Sequence, residues 1–300
     1  MVIGELNRRD VPVARIDPAA DFPVDLTMSA RIGGDRMTGA LTTRARGLNL
    51  AEVRAVYHRR PTPFPLANDD DPPAQRFSAA QARYGLGGTL ASLSCLYVNH
   101  PWQIAAAEHK PWQLAVAAQE GFTVPPTLIT NRVDDARAFA VAHSPIVYKA
   151  LRDVPVRDNE GRWCTVWVDE VDPREFDDSI GLAPHMFQAR VPKVADLRLT
   201  VIGRAIFCVR IESPLIDWRA DYERIRYSVA DVPRGIADAA RRMLNRAGLA
   251  FGAFDLGLSA DGKIWFYELN ANGQWAWLED ESGLPLTSAM ADLLEGINEA

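Results

Sequence analysis

The clearest signal in the chain is a helical stripe over residues 233–247. Ile236, Ala240, Met243, Leu244 and Ala247 recur there at three- and four-residue spacing until Gly248 stops the helix. On either side of it the period drops to two. HMFQARV from His185, LRLTVIG and RAIFCVRI read as strands, the last two as a hairpin turning at Gly203-Arg204. Upstream, Asn99-His100-Pro101 opens one helix and Lys110-Pro111 a second that ends at Gly121. A strand over 127–129, a helix after Thr130-Asn131, a strand over 146–151, a charged loop over 152–162 and a strand over 164–168 follow. The first hundred residues predict a helix, a turn and a strand over 11–16, a strand over 51–58 and a loop over 65–73. A helix over 75–96 carries stripes through Phe77, Ala80 and Tyr84 and through Leu90, Leu93 and Leu96. An α/β unit usually begins with a strand ahead of such an opening helix, so its first strand is expected to be missing and a sheet edge uncovered.

The most informative segment is AFDLGLSADGKIWFYELNANGQWAWLE. Asp261-Gly262 between alternating strands predicts a hairpin with a two-residue type I′ turn. Ala260 then faces Lys263, Asp255 lies opposite Glu268, and Ala253 lies opposite Asn270. Phe254, Leu256 and Leu258 share the other face with Leu269, Tyr267 and Trp265 as an apolar wall. The first face holds two carboxylates with Cβ atoms about 5 Å apart and an amide one step along. Like charges opposed on a sheet call for a compensating cation. Two carboxylates and an amide oxygen are hard ligands suited to Mg²⁺, which keeps positions for water and phosphate. The competing reading is an exposed face of unpaired acids, or acids neutralised by a neighbouring arginine.

Composition narrows the field. The 300 residues are 48% hydrophobic and 24% charged, enough for two or three folded domains. A net charge of −6 argues against a general nucleic-acid binder. No apolar run approaches the roughly 18 residues of a membrane span, and the N-terminus lacks an apolar signal core. Cys95, Cys164 and Cys208 form no C-x-x-C pair, which fits a reducing cytoplasm. P-loop, Rossmann and nucleophile-elbow patterns have no counterpart. Lys149 in PIVYKAL, Lys110 at a helix mouth and Arg198 in ADLRLTVIG are each open to a bland reading: a snorkelling lysine, a solvated lysine, half of a surface ion pair. Six acids and one base crowd residues 169–178, as a solvated helix start or as a docking surface.

Taken in order, the lysines, MFQARV, the DLR strand and the D…E-x-N hairpin resemble the ATP-grasp superfamily. VYHRRPTPF, VNHPWQIAAAEHKPWQLAVAAQEGFTVPPTLITN, YKAL, FQARVPKVADLRLTVIG, DWR and YELNANGQWAWLE resemble the actinobacterial branch of ATP-grasp ribosomal peptide maturases, the microviridin-type or graspetide synthetases. The resemblance runs over nearly the whole chain. It implies an α/β ATP-grasp fold of three subdomains. These are an N-terminal α/β pre-ATP-grasp unit over 1–100, a central α+β unit over 101–187, and a C-terminal antiparallel sheet with helices over 188–300.

The resemblance further implies that ATP lies between the last two units. Lys110 and Lys149 would contact its phosphates, and Gln188 and the backbone through Val191 its adenine. Arg198 would reach the γ-phosphate or an acyl phosphate, Arg219 of DWR the reacting carboxylate, and Asp255, Glu268 and Asn270 would hold Mg²⁺. The implied activity is peptide macrocyclisation, joining Asp or Glu side chains of a ribosomal precursor to Ser, Thr or Lys as esters or amides. A cytoplasmic homodimer is implied, with the precursor's leader docked at Asp169, Glu170, Asp172, Glu175, Asp177 and Asp178. Alternatives are a ligase for free amino acids or small carboxylic acids, and a nucleotide-binding regulator without turnover. Two departures stand out: Ala271 replaces the family's usual proline in Asn270-Ala271-Asn272, and the segment ELNRRDVPVARID lacks the strand that precedes it in the family.

Overall fold

The computed structural model describes residues 1–34, 36–44, 46–64, 71–152, 156–157 and 160–297. Most of the loop expected over 65–73, and part of the one over 152–162, lie outside them. The N-terminal helix α1 (Val2–Arg8) and the short α2 (Pro18–Asp21) flank residues 11–16. These six residues are not a strand. Pro12 has no N–H for a ladder, and the alternating side chains divide between two cores, Val11 and Val13 packing on one and Ile16 on another. A hairpin of β1 (Leu26–Gly33) and β2 (Arg36–Thr43), extended by β3 (Gly47–Asn49), follows. The alternation of Leu26, Met28 and Ala30 with polar residues signals this hairpin in the sequence.

The strand expected over 51–58 shrinks to β4 (Ala55–Tyr57), because Asn49 caps a helical turn at Leu50–Glu52. It pairs in parallel with β5 (Leu96–Val98). The helix expected over 75–96 is α3 (Pro73–Gln81), a widened π turn over Ala82–Gly87 and α4 (Gly88–Ala91). Three glycines in RYGLGG loosen the turn, and Phe77 and Tyr84 face solvent while Leu86 and Leu93 are buried. Helices α5 (Pro101–Ala107) and α6 (Lys110–Glu120) lead into a four-stranded sheet. Its strands are β6 (Thr127–Thr130), β7 (Ile146–Lys149), β10 (Asp169–Glu170) and β11 (His185–Ala189), ordered β10-β7-β11-β6, with α7 (Val133–His143) packed on it. Between β7 and β10, the small pair β8 (Val156–Arg157) and β9 (Trp163–Cys164) replaces the strand expected over 164–168.

The C-terminal sheet is antiparallel, ordered β14-β13-β12-β15-β16. It contains β12 (Lys193–Ile202), β13 (Ala205–Glu212), β14 (Arg226–Val229), β15 (Phe251–Ser259) and β16 (Ile264–Asn270), with α8 (Arg234–Ala247) crossing before β15. One face carries Leu197, Leu199, Val201, Phe254, Leu256, Phe266 and Leu269 into a core shared with α5, α6 and α8. The end of the opposite face packs under α9 (Ala276–Ser282), α10 (Leu286–Glu295) and α1. No helix among the described residues is long and apolar enough to cross a membrane.

Candidate active site

The β15–β16 hairpin places its carboxylates as expected, by a different route. Its loop has three residues, with the Ser259 N–H donating to the Lys263 carbonyl and Gly262 in the left-handed region at φ 81°. That shifts the pairing by one, so Leu256 faces Phe266 and Leu258 faces Ile264. Phe266 and Ile264 therefore take the places expected for Tyr267 and Trp265 in the apolar wall. A bulge at Tyr267 then restores the register: Asp255 lies opposite Glu268 and Ala253 opposite Asn270. The bulge has a second effect. Tyr267 stays out of the ladder, and its carbonyl accepts from Lys149 Nζ at 3.1 Å.

Arg198 on β12 is directly opposite Asp255, so Arg198, Asp255 and Glu268 form one row across three strands. Arg198 Nη1 donates to Asp255 Oδ1 at 2.6 Å, its Nη2 to the Gln274 carbonyl at 3.2 Å, and Asn270 Nδ2 to Asp255 Oδ2 at 2.9 Å. An arginine neutralising the acids is thus present. It does not use up the site, because Arg198 Nε and the neighbouring Thr200 hydroxyl are buried without a partner among the described residues. A buried donor left unmet is costly unless a ligand satisfies it.

Cations gather near this row from three places: the end of β7, the start of α6 and the helical turn after β13. Lys149 ends β7, is buried, and stands 3.7 Å from Glu268. Burial, with Lys110 and Arg219 nearby, holds its ammonium below the usual lysine range, against the pull of Glu268 and Asp255. Buried Lys110, in the first turn of α6, donates to the Ala150 carbonyl at 2.7 Å. Arg219 forms a two-bond pair with Asp217 and feels both Asp255 and Glu268. Its guanidinium is raised above the ordinary range, first by the hydrogen bond to Asp217. Burial opposes ionisation of Asp217, and Arg219 more than offsets it. Lys149, Gln188, Val191, Arg219, Asp255 and Glu268 line one cleft between the two sheets. Gln188 is tied there by its amide to the Thr127 hydroxyl at 2.8 Å.

Several residues of the site carried no readable signal. Asn99 donates to the Phe251 and Ala271 carbonyls and accepts from the Ala250 and Phe251 amides, locking β15 to the loop after β16. Gln113 closes a reciprocal pair with the Leu269 backbone. Arg59 donates to the Asn272 carbonyl and side chain. A Cβ on Gly273 would come within 2.9 Å of Arg198 Nη2, so only glycine lets the loop pass this closely. Asp196, lining the cleft beside Lys193, is pushed up to about 6 by burial, with Lys193 pulling the other way. The acids of residues 169–178 stand outside the cleft. Asp169 and Glu170 form the edge strand β10, while Asp172 and Asp177 cap short helical turns; residues 169–178 contain no α-helix.

Among the described residues no three His, Cys, Asp or Glu side chains group as a metal site. The donor set is two carboxylates and an amide, short of a full shell. It suits a hard cation whose remaining ligands are phosphate and water.

No family model matches the chain, and no curated protein matches it. Solved structures do. The chain is 27% identical to macrocyclase MdnC of Microcystis aeruginosa MRC, which was solved bound to its precursor peptide MdnA. That match covers 98% of this chain and 94% of that one, with a TM-score of 0.84. MdnB of the same organism, also a macrocyclase, is 27% identical over 98% and 93% of the two chains, with a TM-score of 0.78. A RiPP-associated ATP-grasp ligase of Chryseobacterium gregarium, in complex with ADP and a leader and core peptide, shares the fold at a TM-score of 0.87. It is 24% identical over 100% and 92% of the chains. The chain has the ATP-grasp fold, and the solved structures it resembles include two macrocyclases and a peptide-bound ATP-grasp ligase.

Proposed function

We propose that this chain, an ATP-grasp ligase, is a peptide macrocyclase that activates Asp or Glu side chains of a ribosomal precursor as acyl phosphates. It then joins them to Ser, Thr or Lys side chains as esters or amides. The observation that carries the reading is the row of Arg198, Asp255 and Glu268 facing Lys149 and Arg219 across one cleft, in a chain similar to macrocyclases over nearly its whole length.

A carboxylate resists attack because charge would accumulate on an anion, and phosphorylation turns one oxygen into a leaving group. That transfer is catalysed mainly by positioning and charge neutralisation, which needs cations and no protein nucleophile. In this reading Lys110 and Lys149 bind phosphate oxygens, and Gln188 and the backbone through Val191 hold the adenine. Arg198, bonded to Asp255 in the same row, would reach the transferred phosphoryl group. Arg219, kept charged by Asp217, orients the reacting carboxylate. Asp255, Glu268 and the Asn270 amide would hold Mg²⁺, which supplies charge neutralisation at the phosphates when bound.

The reading includes a cytoplasmic homodimer. It also includes leader docking on the acids of residues 169–178, which do not line the cleft. Such docking raises the effective concentration of the core peptide without occupying the site. The test is mass spectrometry of a Thr/Ser/Asp/Glu-rich peptide encoded beside this gene, co-expressed with the chain. Loss of one water per ring is expected. An unchanged peptide mass with ATP turnover on free amino acids would overturn the reading.

A further inference from the structure

A peptide whose carboxylate is activated beside Arg198 must run over a surface other than the nucleotide cleft. A groove of 1410 Å³ lies between the N-terminal unit and the loop after β16. Among the described residues Arg15, Arg54, Arg59, Arg60 and Arg83 line it, against three acids. Those acids are already engaged: Asp17 accepts from the Thr62 amide and hydroxyl, Glu52 from Asn49, and Glu295 from Arg9. Arg15, Arg54 and Arg60 are exposed and form no ion pair among the described residues, while Arg83 sits over the ring of exposed Tyr84. The groove is therefore cationic, with aromatic and aliphatic walls that include Tyr84, Trp102 and Val56.

Its position links it to the chemistry. Arg59 reaches out of the groove to hold Asn272, and the Trp275 indole donates to the Tyr57 hydroxyl on the groove wall. The same loop offers the Gln274 carbonyl to Arg198. One loop thus has the groove on one side and the phosphoryl-transfer arginine on the other. Arg60 follows Arg59 in the left-handed region at φ 44°, a conformation that costs a residue with a Cβ and that concentrates at functional sites. Arg59 points at the loop while Arg60 stays exposed on the groove.

We propose that this groove binds the acidic, carboxylate-bearing stretch of the peptide substrate, with Arg54, Arg60 and Arg83 as its cations. The proposal rests on the peptide-ligase reading and adds to it the surface that selects and presents the carboxylates. Charge complementarity favours that occupant over the basic or amphipathic leader, which suits the acids of residues 169–178 instead.

The test uses two fluorescein-labelled synthetic peptides, one alternating Thr, Ser, Asp and Glu, the other with Asn and Gln in place of the acids. Both are titrated into the wild-type chain and an Arg54→Gln/Arg60→Gln/Arg83→Gln variant, read by anisotropy. Stabilisation by ADP and Mg²⁺ is read in parallel by thermal melting. The wild type is expected to bind the acidic peptide at least about tenfold tighter than the neutral one, an advantage that falls with salt. The triple variant should lose that preference and keep its nucleotide stabilisation. A variant that retains the preference, or a wild type that shows none, overturns the proposal. If the triple variant loses nucleotide stabilisation as well, Arg60→Gln alone, one exposed side chain, decides by the same criterion. A wild type that discriminates the peptides but ignores ADP and Mg²⁺ supports the groove and sinks the ligase reading instead.

Discussion

Two stretches of this chain are rich in acid, and they are built in opposite ways. Asp255 and Glu268 are only two carboxylates, yet their partners come from far away: Arg198 from another strand of the sheet and Lys149 from another unit. Residues 169–178 hold six acids, and their hydrogen bonds are mostly local. Asp172 accepts from Arg174 and Asp177 from Ser179, each two residues on, and only Glu170 reaches further, to Arg190. Local caps form at little entropic cost, because donor and acceptor lie two residues apart. Long-range pairs in a cleft require the whole fold before they exist, and burial makes each member expensive without its partner. Density of charge is therefore a poor guide to chemistry, and the distance a partner has travelled along the chain is a better one.

The largest test of that contrast is Glu268→Gln. The substitution keeps volume and removes one charge and one hard ligand. ATP-dependent dehydration of the peptide is expected to fall by roughly 10²–10³-fold, the size of losing one electrostatic stabiliser in a preorganised site. The melting temperature should fall, since buried Lys149 loses its nearest carboxylate, but the protein should stay folded because the Tyr267 carbonyl still accepts from Lys149. Wild-type turnover at ordinary Mg²⁺ would remove Glu268 from the site.

Second is the Arg198–Asp255 pair, with side chains 7% and 17% exposed. Arg198→Met leaves a carboxylate in the cleft beside Glu268 and should cost about 3 kcal/mol of stability. Adding Asp255→Asn should recover much of that loss in urea unfolding, because the two sites share one interaction. Additive losses would mean the pair is uncoupled.

These residues also show what the sequence made legible. Strand alternation around Asp261-Gly262 was enough to oppose Asp255 and Glu268, although the turn has three residues and a bulge at Tyr267 takes up the difference. Two departures from the simplest hairpin cancel at Asp255 and Glu268 and do not cancel at Trp265 and Tyr267, which leave the apolar face. The ATP-grasp fold and the place of Lys149 in the cleft are legible through family phrases such as YKAL. Arg59, Asn99 and Gln113 were not, since each acts on backbone groups more than a hundred residues away. The β1–β2 hairpin is signalled only by the alternation of Leu26, Met28 and Ala30, with Met37 and Leu41 on the partner strand. The helix expected over 75–96 misled in the other direction, as its stripe through Phe77 and Tyr84 faces solvent.

Third in size is a pH effect at Asp196, 8% exposed and raised by burial from an ordinary carboxyl value of 3.8 to about 6. A carboxyl raised on folding favours the native state when protonated. Its contribution is fully present below the unfolded value near 3.8 and is lost as pH rises through about 6. The change across that window is on the order of 3 kcal/mol. Asp196→Asn should flatten the wild type's loss of stability between those values in urea titrations, and an unchanged slope would clear Asp196 of the effect.

The smallest expected effect separates the acids of residues 169–178 from one another. Asp172 and Asp177 are caps, so replacing either mixes stability with charge. The Glu175 and Asp178 side chains are exposed and form no hydrogen bond or ion pair among the described residues, with Glu175 feeling the charge of neighbouring Arg174. Reversing both, as Glu175→Lys/Asp178→Lys, should leave the melting temperature nearly unchanged, because surface charges away from caps and pairs contribute within about 0.5 kcal/mol. If a basic leader docks here, its affinity should drop about three- to tenfold at low salt. The difference between variant and wild type should shrink as salt screens both. Nucleotide stabilisation should not move. Leader affinity that is equal in the two proteins at low salt would leave these acids as caps and solvated surface, and would place the leader on another face of the central sheet.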